Sequence, residues 1–551
     1  MSVLEVLTAA EMQACDRVTT ERFGISSIEL MRAAGTAVAD FARSHFPEAR
    51  RVTVLCGRGN NGGDGMVAAR LLADAGLEVT TLLMGAPENF ADDAARAWRD
   101  LTDPLHARVQ VIVDAEELER HQEVLDTDLL IDALVGTGFK QPLRGLTLAA
   151  IRWARASSAP VLAVDLPSGW PAESTSATVE GPVFAADAVM TFTAPKPAHV
   201  FGQLTRHWDQ PIVVAPIGSP DEAIVSESKL AWAGASLALV HGPRATAANK
   251  GNFGHVLVVG GSFGSAGGKS GAPAMVAMGA LRAGAGLVTA AVPEPALIPV
   301  ASFAPELMTW PLAANAEGHI AAKNLASEQI AAITKGKTVL AIGPGLGQSA
   351  DTVEFTTGLL AATEMPAVID ADALNILSTE PALLARLAKG RTLVLTPHPG
   401  EMARLARIST AEVQANRLET ARSFARRMGV ILVLKGARTL IAHPDGRVAV
   451  NTSGNPGMAK GGSGDLLTGM VAGLLAQHPD QPARAVEAAV CLHGMAADFA
   501  VRDSDEHTLL ATDSLRFLAR AFRYPAFHFG KSGSNRYVCL QGTLWAAGQG
   551  S

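Results

Sequence analysis

Short runs of branched apolar residues alternate with longer helix-forming stretches along almost the whole chain. In the first half, these runs cover residues 52–56, 79–84, 129–135, 161–166, 189–193 and 212–216. In the second half, they cover residues 255–260, 287–292, 339–343, 367–370, 392–396 and 430–434. Continuous apolar strands without alternation are typical of parallel sheets that helices cover on both faces. The pattern therefore predicts an α/β fold in both halves.

The chain divides where this pattern weakens, over residues 218–251, which are rich in Ser, Pro, Gly and charged residues. A length of 551 residues is enough for two large domains. We therefore predict one domain over residues 1–225 and a second over residues 226–520. Helical periodicity stops after residue 520, so residues 521–551 are expected to form a loosely attached extension, for which the sequence indicates no function.

The composition narrows the class of protein. The chain has 46 basic and 53 acidic residues, a net charge of −7 and no basic stripe, which argues against a nucleic-acid partner. No stretch approaches about 20 apolar residues, and the N-terminus lacks a signal-peptide pattern, so we expect no membrane partner. The four cysteines lie far apart and fit a reducing compartment. A cytoplasmic protein is predicted.

The strongest local signal in the first half is Cys-Gly-Arg-Gly-Asn-Asn-Gly-Gly-Asp-Gly at residues 56–65. It follows a predicted strand and precedes a predicted helix over residues 66–75. Glycines there let the backbone approach a ligand closely, and N–H groups at a helix N-terminus favour an anion. The spacing differs from the dinucleotide-binding GxGxxG pattern. Asn60, Asn61 and Asp64 favour a ligand site, and a purely structural turn is the alternative.

Two aspartates lie near the carboxyl ends of other apolar strands of the first half. Asp132 precedes a glycine-rich loop, and Asp165 precedes Leu-Pro-Ser168-Gly. Ligands of open α/β sheets bind beyond the carboxyl ends of the strands, so we expect these segments to converge with the glycine loop. Carboxylate, amide and hydroxyl oxygens together suit a hard cation. Each aspartate alone could instead cap a turn.

The second half contains two glycine-rich loops. The first, at residues 260–270, fails the P-loop spacing because Phe263 stands where the pattern needs glycine, and we interpret it as a substrate loop. The second, at residues 460–465, opens a predicted helix and ends in Asp465. Such a loop can stabilise phosphoryl charge, and its aspartate can accept the proton of an attacking hydroxyl. With the strand-following segments 343–347, 370–375, 396–401 and 435–439, it predicts a phosphoryl-transfer cleft.

These motifs carry a family resemblance over roughly residues 5–520. The loop at 60–64, the segment around Asp132 and the sequence at 165–169 resemble the epimerase domain of the NAD(P)H-hydrate repair family, which is Rossmann-like. The second half is similar to the NAD(P)H-hydrate dehydratase domain, which is ribokinase-like. The segments that carry this similarity are 250–254, 343–347, 396–401, 435–439 and 461–465.

The resemblance implies repair of NADH and NADPH that have become hydrated at C6, the species NADHX and NADPHX. The epimerase domain would interconvert the R and S hydrates. The dehydratase domain would act on the S form with ADP, giving AMP and phosphate, because phosphate is a far better leaving group than hydroxide. The family further implies K⁺ in the epimerase site. Phosphoryl transfer leads us to expect Mg²⁺ with ADP in the dehydratase site. We also expect a homo-oligomer.

The resemblance also assigns residues. The epimerase substrate contacts would be Asn60, Asn61, Gly62, Gly63, Asp64, Gly136, Thr137, Gly138, Phe139, Lys140, Gln141, Pro142 and Asp165. The potassium ligands would be Asn61, Asp132 and Ser168. The dehydratase would bind the hydrate through Ala272, Gly345, His398 and Asp465. The nucleotide would contact Lys435, Gly436, Ala437, Arg438, Thr439 and Gly464. Asp165 is our acid/base candidate in the first site, and Asp465 is the expected base in the second.

Two other interpretations remain open at this point. The second half alone permits a kinase for a vitamin alcohol, such as a hydroxymethylpyrimidine or thiazole precursor, because ribokinase-like folds share the glycine loop and the aspartate. The first half alone permits a binding module that scaffolds another protein. The fused first domain argues against the kinase interpretation. The presence of the potassium-ligand residues and of Asp165 argues against the scaffold interpretation.

Overall fold

The computed structural model describes residues 4–90, 92–102, 108–265, 267–525, 527–529 and 536–542. The chain forms two compact units. One contains residues 4–230 and the described residues from 525 onward, and the other contains residues 231–524. Each unit has a mainly parallel sheet with helices between its strands, so the α/β class is confirmed for both halves. None of the described helices is long and apolar enough to cross a membrane.

The first unit is built on one sheet. Across the sheet, its strands are Phe527–Phe529, Arg536–Gln541, Ile212–Ala215, Ala188–Phe192, Val161–Val164, Leu129–Ala133, Arg51–Cys56, Glu78–Met84 and Arg108–Ile112. The seven strands from Ile212–Ala215 onward run parallel. The α-helices are Ala9–Phe23, Ser27–His45, Asn60–Asp74, Asp92–Thr102, Ala115–Glu119, Gly145–Ala154 and Pro197–Phe201. All six predicted strands are present, and Arg108–Ile112 was missed because it is half exposed.

This sheet has an apolar core on each face. Val54 belongs to one core, which also contains Phe41, and the next residue, Leu55, belongs to the other core, which contains Trp153. Because successive side chains of a strand point to opposite faces, a strand that is covered on both sides must be apolar at every position. The unbroken apolar runs in the sequence follow directly from this arrangement.

One predicted helix begins earlier than expected. The helix predicted to start at Met66 begins at Asn60 instead, so the run of polar residues and glycines forms its first turns. The glycines there allow close packing, since a Cβ on Gly62 would lie 1.9 Å from the carbonyl oxygen of Gly57. A Cβ on Gly65 would lie 2.5 Å from the Cβ of Ala133. Glycine inside a helix usually signals a break, and here close contacts with neighbouring elements outweigh that tendency.

The second unit contains a longer sheet of the same kind. Across it, the strands are Leu230–Trp232, Val448–Val450, Leu440–Ala442, Ile431–Leu434, Leu393–Leu395, Ala367–Ile369, Val339–Ile342, His255–Val259, Leu287–Pro293 and Met308–Leu312. Phe263–Gly264 and Gly267–Gly268 form a separate hairpin. The α-helices are Gly271–Arg282, Leu297–Ala301, Ser327–Thr334, Ala350–Ala362, Ala371–Thr379, Pro381–Leu387, Pro399–Ala406, Thr410–Ala415, Arg417–Met428, Ser463–Gln477, Pro482–Arg502 and Ala511–Arg523. All six predicted strands are present. The strand Leu440–Ala442 was not predicted, and it pairs antiparallel with both of its neighbours.

The end of the chain returns to the first unit. The helix Ala511–Arg523 runs past residue 520, and the strand Arg536–Gln541 then pairs antiparallel with Ile212–Ala215. Residues 537–541 are buried, and Tyr537 joins the core that contains Phe41. This structure differs from the loosely attached extension that the sequence predicted. The apolar run Tyr-Val-Cys-Leu was a strand signal, but it lies too far along the chain to be placed in a sheet from sequence.

Deleting residues 525–551 should destabilise the first unit alone. The four apolar side chains of 537–540 are buried, and each apolar side chain contributes about 1.5–3 kcal/mol on full burial. We expect hydrogen exchange in the strand Ile212–Ala215 to accelerate at least tenfold. Exchange in the strand His255–Val259 of the second unit is the internal control and should stay unchanged. Unchanged exchange in both strands would show that the terminal strand adds no stability.

Candidate active sites

The carboxyl ends of six neighbouring parallel strands of the first unit, from Ile212–Ala215 to Glu78–Met84, open into a cavity of about 830 Å³. The predicted contact residues that line it are Asn60, Asn61, Asp64, Gly136, Thr137, Gly138, Phe139 and Asp165. Gly62 and Gly63 are instead packed inside the helix. Lys140, Gln141 and Pro142 continue the loop beyond the cavity lining. The sheet therefore brings most of the predicted set together, as expected for ligand sites at strand ends.

Asp165 has a strained backbone at the base of this cavity. Its φ is 62°, and the N–H of Leu166 donates to the carbonyl oxygen of Val164 at 2.9 Å, which closes a three-residue turn around it. The neighbouring strand ends in a matching turn that is centred on Thr193, with φ of 61°. Turns of this kind are rare for residues other than glycine, and such strain is typical of functional sites.

The carboxylate of Asp165 has three donors. Its Oδ1 accepts from Lys196 Nζ and from Thr191 Oγ1, both at 2.9 Å, and its Oδ2 accepts from the N–H of Thr137 at 2.9 Å. The side chain of Lys196 is only 3% exposed, so the ion pair is largely shielded from water. Burial alone would raise the pKa of Asp165, but the charge of Lys196 and these hydrogen bonds hold that pKa below its usual value. Asp165 is therefore ionised at neutral pH.

His199 connects the backbones of Asp165 and Lys196. Its Nδ1 accepts from the N–H of Lys196 at 2.9 Å, and its Nε2 lies 2.7 Å from the carbonyl oxygen of Asp165. Since the carbonyl can only accept, the ring proton resides on Nε2. Burial lowers the pKa of His199 to about 4, so the ring is neutral and serves as a rigid bridge.

Two further carboxyl groups line the cavity, and their pKa values are shifted in the opposite direction from that of Asp165. Burial raises the pKa of Asp64 well above its ordinary value, and the negative charge of Asp165 adds to that effect. Burial likewise raises the pKa of Asp16, which comes from the helix Ala9–Phe23. A cavity that holds carboxyl groups whose pKa values are shifted in opposite directions is suited to acid–base chemistry. The sequence did not indicate Asp16, because it is far from every motif.

Asp132 and Ser168 form a buried, oxygen-rich pair. Ser168 donates through its hydroxyl to Asp132 Oδ1 at 2.6 Å and through its N–H to Asp132 Oδ2 at 2.8 Å. The N–H of Val135 donates to Ser168 Oγ at 3.0 Å. The side-chain amide of Asn61 is buried, and neither its oxygen nor its nitrogen has a hydrogen-bond partner within the described structure. Burial raises the pKa of Asp132 to about 6.

Gly136 brings these parts close together. A Cβ at this position would lie 2.7 Å from Asp165 Oδ2 and 3.1 Å from Asn61 Oδ1. The backbone at Gly136 therefore lies against both side-chain oxygens, and a methyl group would collide with them. At Gly138, in the same loop, a Cβ would meet no atom within 4 Å.

The second site is centred on Asp465 in the first turn of the helix Ser463–Gln477. Gly462, with φ of 97°, starts this helix. Burial raises the pKa of Asp465 to about 6, and the negative charge of Asp370 adds to the effect, while Lys435 and Lys269 oppose it. A carboxylate with such a pKa is a stronger base than a solvated aspartate and is still largely ionised at neutral pH.

Lys435 joins the charged groups around Asp465. Its Nζ lies 3.0 Å from Asp370 Oδ1 and 3.9 Å from Glu401 Oε2. Burial alone would lower the pKa of Lys435, but the carboxylates of Asp370 and Glu401 outweigh that effect and raise the pKa above its usual value. Lys435 therefore carries a positive charge at neutral pH. Thr468 donates to the other oxygen of Asp370 at 2.7 Å. A Cβ on Gly464 would lie 3.4 Å from Lys435 Nζ, so this helix start adjoins the lysine.

The segment 435–439 forms a tight loop after the strand Ile431–Leu434. Gly436 has φ of 139° and Arg438 has φ of 54°, and both values are rare for residues with a side chain. Arg417 donates to the carbonyl oxygen of Ala437 at 2.5 Å, and Arg438 donates to that of Thr452 at 2.9 Å. The loop is therefore held from two sides. Thr439 donates within the loop to Gly436 O at 2.9 Å.

The remaining predicted residues flank this cluster. A Cβ on Gly345 would lie 2.8 Å from the carbonyl oxygen of Lys269 and 3.4 Å from the Cβ of Ala272, so these three positions adjoin. The ammonium of Lys269 is 3.6 Å from Asp372 Oδ2. His398 caps the helix Pro399–Ala406, and its Nδ1 accepts from the N–H of Gly400 at 3.0 Å.

Several side chains in the two sites were not assigned from the sequence. Lys196, Thr191 and His199 lie in or after a strand of the first unit, and Asp370 and Thr468 lie beside Asp465 in the second. The signal that found Asp165, an aspartate at the end of an apolar strand, also placed Asp370 in the predicted cleft, although no role was assigned to it. Lys196 had no such signal, because a lysine near a strand end usually lies in solvent.

Comparisons with known proteins agree with this architecture. The family described as YjeF-related protein N-terminus matches residues 27–198, and the NAD(P)H-hydrate dehydratase family matches residues 256–519. A solved structure, an ADP/ATP-dependent NAD(P)H-hydrate dehydratase from Bacillus subtilis co-crystallized with ATP/Mg²⁺, is 31% identical. The match covers 53% of this chain and 96% of that one, with a TM-score of 0.43.

Relatives of full length are similar along both units. The bifunctional NAD(P)H-hydrate repair enzyme Nnr of Moorella thermoacetica is 40% identical over 534 residues, covering 94% of this chain and 96% of that protein. The enzyme of the same name from Escherichia coli K12 is 36% identical over 527 residues, covering 93% of each. Because this similarity extends over nearly the whole of each protein, the chain belongs to the family of bifunctional NAD(P)H-hydrate repair enzymes.

Proposed function

We propose that the first unit epimerises the R and S hydrates of NADH and NADPH and that the second unit dehydrates the S form with ADP. The observation that carries this proposal is a pair of separate acid–base sites in one chain of this family. One is centred on the ionised Asp165 and the other on Asp465, whose pKa is raised to about 6 by burial and by Asp370. The vitamin-alcohol kinase and the scaffold each account for only one of the two units.

The chemistry of the first site follows from the hydrate. Its C6 carries a hydroxyl group next to the ring nitrogen, so inversion requires the C6–O bond or the C6–N1 bond to break and re-form. Both routes move a proton at the hydroxyl oxygen. We assign that proton to Asp165 Oδ2, which lies beside the loop of Gly136 and Thr137 at the cavity wall. The remaining predicted contacts would hold the nicotinamide ring and its amide.

We infer that K⁺ binds beside this cavity through Asn61, Asp132 and Ser168. The buried, unpartnered amide of Asn61 supports the assignment, because leaving such a group unsatisfied is costly. The oxygens of Asp132 and Ser168 supply the hard donors that an alkali cation prefers. Such an ion would supply a fixed positive charge that stabilises negative charge on the substrate.

At the second site, Asp465 would take the proton of the C6 hydroxyl while that oxygen attacks the terminal phosphorus of ADP and AMP leaves. The ring nitrogen then expels the phosphate from C6, and loss of a C5 proton restores the reduced ring. Lys435, the loop 435–439 and Gly464 would hold the nucleotide, with Lys435 neutralising phosphoryl charge. Ala272, Gly345 and His398 would position the hydrate.

We propose that Mg²⁺ accompanies the nucleotide. Asp370 and Glu401 are the carboxylates nearest to Lys435, and both are already engaged with it. No group of three or more His, Cys, Asp or Glu residues suited to a metal occurs in the described part of the chain. The ion would therefore be held largely by phosphate oxygens, which is usual for Mg²⁺, and would neutralise their charge.

We also propose a homo-oligomer in the cytoplasm. Apolar side chains are exposed around the edge strand Met308–Leu312 of the second unit, and they belong to Ile298, Phe303, Met308 and Trp310. Exposed apolar groups of this kind favour self-association. All four cysteines are buried thiols, which fits a reducing compartment.

Replacing Gly136 with alanine should damage the epimerase selectively. The methyl group would collide with Asp165 Oδ2 and Asn61 Oδ1, so we expect recovery of NADH from the R hydrate to slow at least tenfold. Recovery from the S hydrate, which needs only the second site, should be unchanged. Gly138→Ala is the matched control and should cost far less, because its methyl group meets no atom. Equal losses in the two variants would contradict the assigned geometry.

Potassium should be required at the first site only. With Na⁺ or choline in place of K⁺, we expect turnover of the R hydrate to fall severalfold, whereas turnover of the S hydrate should persist. Asn61→Leu should weaken the response to added K⁺, because it removes a proposed ligand. A K⁺ response that is identical in the variant and the wild type would exclude Asn61 as a ligand.

The dehydratase rate should rise with pH through about 6. The pKa of Asp465 is raised by burial and by Asp370, so its basic form is lost as the pH falls below about 6. Lys269 lowers that pKa, so Lys269→Met should move the midpoint to higher pH, by less than one unit because its side chain is 63% exposed. Asp465→Asn should reduce the rate by about 10²–10⁴-fold while ADP still binds. A midpoint that moves to lower pH in Lys269→Met would contradict this assignment.

A further inference from the structure

We infer that Lys196 is a positioning residue for the epimerase reaction, because it fixes the Asp165 carboxylate with only Oδ2 directed at the bound hydrate. The inference rests on the proposed role of Asp165. It concerns a residue that none of the sequence motifs contains.

The two oxygens of Asp165 have different surroundings. Oδ1 accepts from Lys196 Nζ and Thr191 Oγ1, both at 2.9 Å, on the buried side of the site. Oδ2 accepts one N–H, that of Thr137, at 2.9 Å. Oδ2 also lies 2.7 Å from the point where Gly136 would carry a Cβ. The oxygen that has capacity for another proton is therefore the one beside the cavity-lining loop.

The ammonium of Lys196 has no donor left for the substrate. It has three N–H bonds, and three oxygens surround it: Asp165 Oδ1 at 2.9 Å, Thr191 Oγ1 at 2.8 Å and the carbonyl of Phe192 at 3.4 Å. Its side chain is 3% exposed. Although Lys196 borders the cavity, its charge acts on the hydrate through Asp165.

The backbone adds a second connection between the same residues. His199 accepts from the N–H of Lys196 at 2.9 Å and, through Nε2, lies 2.7 Å from the carbonyl oxygen of Asp165. Asp165 and Lys196 are thus joined both through their side chains and through His199. This closed arrangement holds Asp165 in its strained conformation, with φ of 62°, and prevents rotation that would exchange Oδ1 and Oδ2.

A lysine that only neutralised a buried carboxylate would support folding and have no separate effect on turnover. The two roles predict different kinetics. If Lys196 positions Asp165, its loss lowers kcat for the R hydrate with little change in KM, and the loss disappears when Asp165 is already absent. If its role is structural only, folded enzyme retains the normal kcat.

The test is a double-mutant cycle in the full-length chain with Lys196→Met and Asp165→Asn. NADH recovery is followed by near-UV absorbance with pure R hydrate, and with pure S hydrate as the control for folding and for the second site. We expect Lys196→Met to lower kcat for the R hydrate by about 10²-fold with KM changed by less than threefold. The double variant should be no slower than Asp165→Asn.

If Lys196→Met does not fold, Thr191→Val tests the same positioning of the Asp165 carboxylate. This variant removes the weaker donor to the same oxygen, and we expect an intermediate loss of about tenfold in kcat for the R hydrate. Normal kcat for the R hydrate in folded Lys196→Met or in Thr191→Val, with Asp165→Asn inactive, would overturn the role of Lys196 alone. Normal epimerisation by Asp165→Asn would overturn the proposed function of Asp165 itself.

Discussion

A buried ion pair between a lysine and an aspartate lies at the end of parallel strands in each unit. In the first unit, Lys196 pairs with Asp165 at 2.9 Å, and in the second, Lys435 pairs with Asp370 at 3.0 Å. Removing such charges from water is costly, and losing one partner leaves the other uncompensated. The strands, turns and caps around each pair supply further hydrogen bonds, which offset the free-energy cost of removing the charges from water.

The two sites use this pair in different ways. In the first, we propose that the paired aspartate itself reacts, and its lysine keeps it ionised. In the second, the paired aspartate is a neighbour of the reactive one, and its charge helps to raise the pKa of Asp465 to about 6. The first arrangement gives a carboxylate that is ionised at neutral pH before it takes up the substrate proton, and the second gives a carboxylate that is a stronger base. This difference fits reversible proton exchange in an epimerase and one-way activation of a hydroxyl in phosphoryl transfer.

The sequence predicted those parts of the fold that depend on local pattern. Apolar runs identified the buried parallel strands, and polar residues near the carboxyl ends of two of them identified Asp132 and Asp165. It did not identify Lys196, because that residue becomes part of the site only when the strand Ala188–Phe192 is placed beside Val161–Val164. The final strand Arg536–Gln541 was missed for the same reason: its partner, Ile212–Ala215, lies more than 300 residues earlier. Contacts between distant segments are set by the tertiary fold.

The central claim is that one chain carries out both steps, and a mixture of R and S NADH hydrates tests it most directly. The wild-type enzyme is given ADP, Mg²⁺ and K⁺, and recovery of near-UV absorbance is compared with total phosphate release. The account predicts complete recovery of NADH, with one phosphate released for each molecule restored. Recovery that stops at the S fraction would contradict the epimerase assignment, and a stable phosphorylated product without NADH would contradict the repair function.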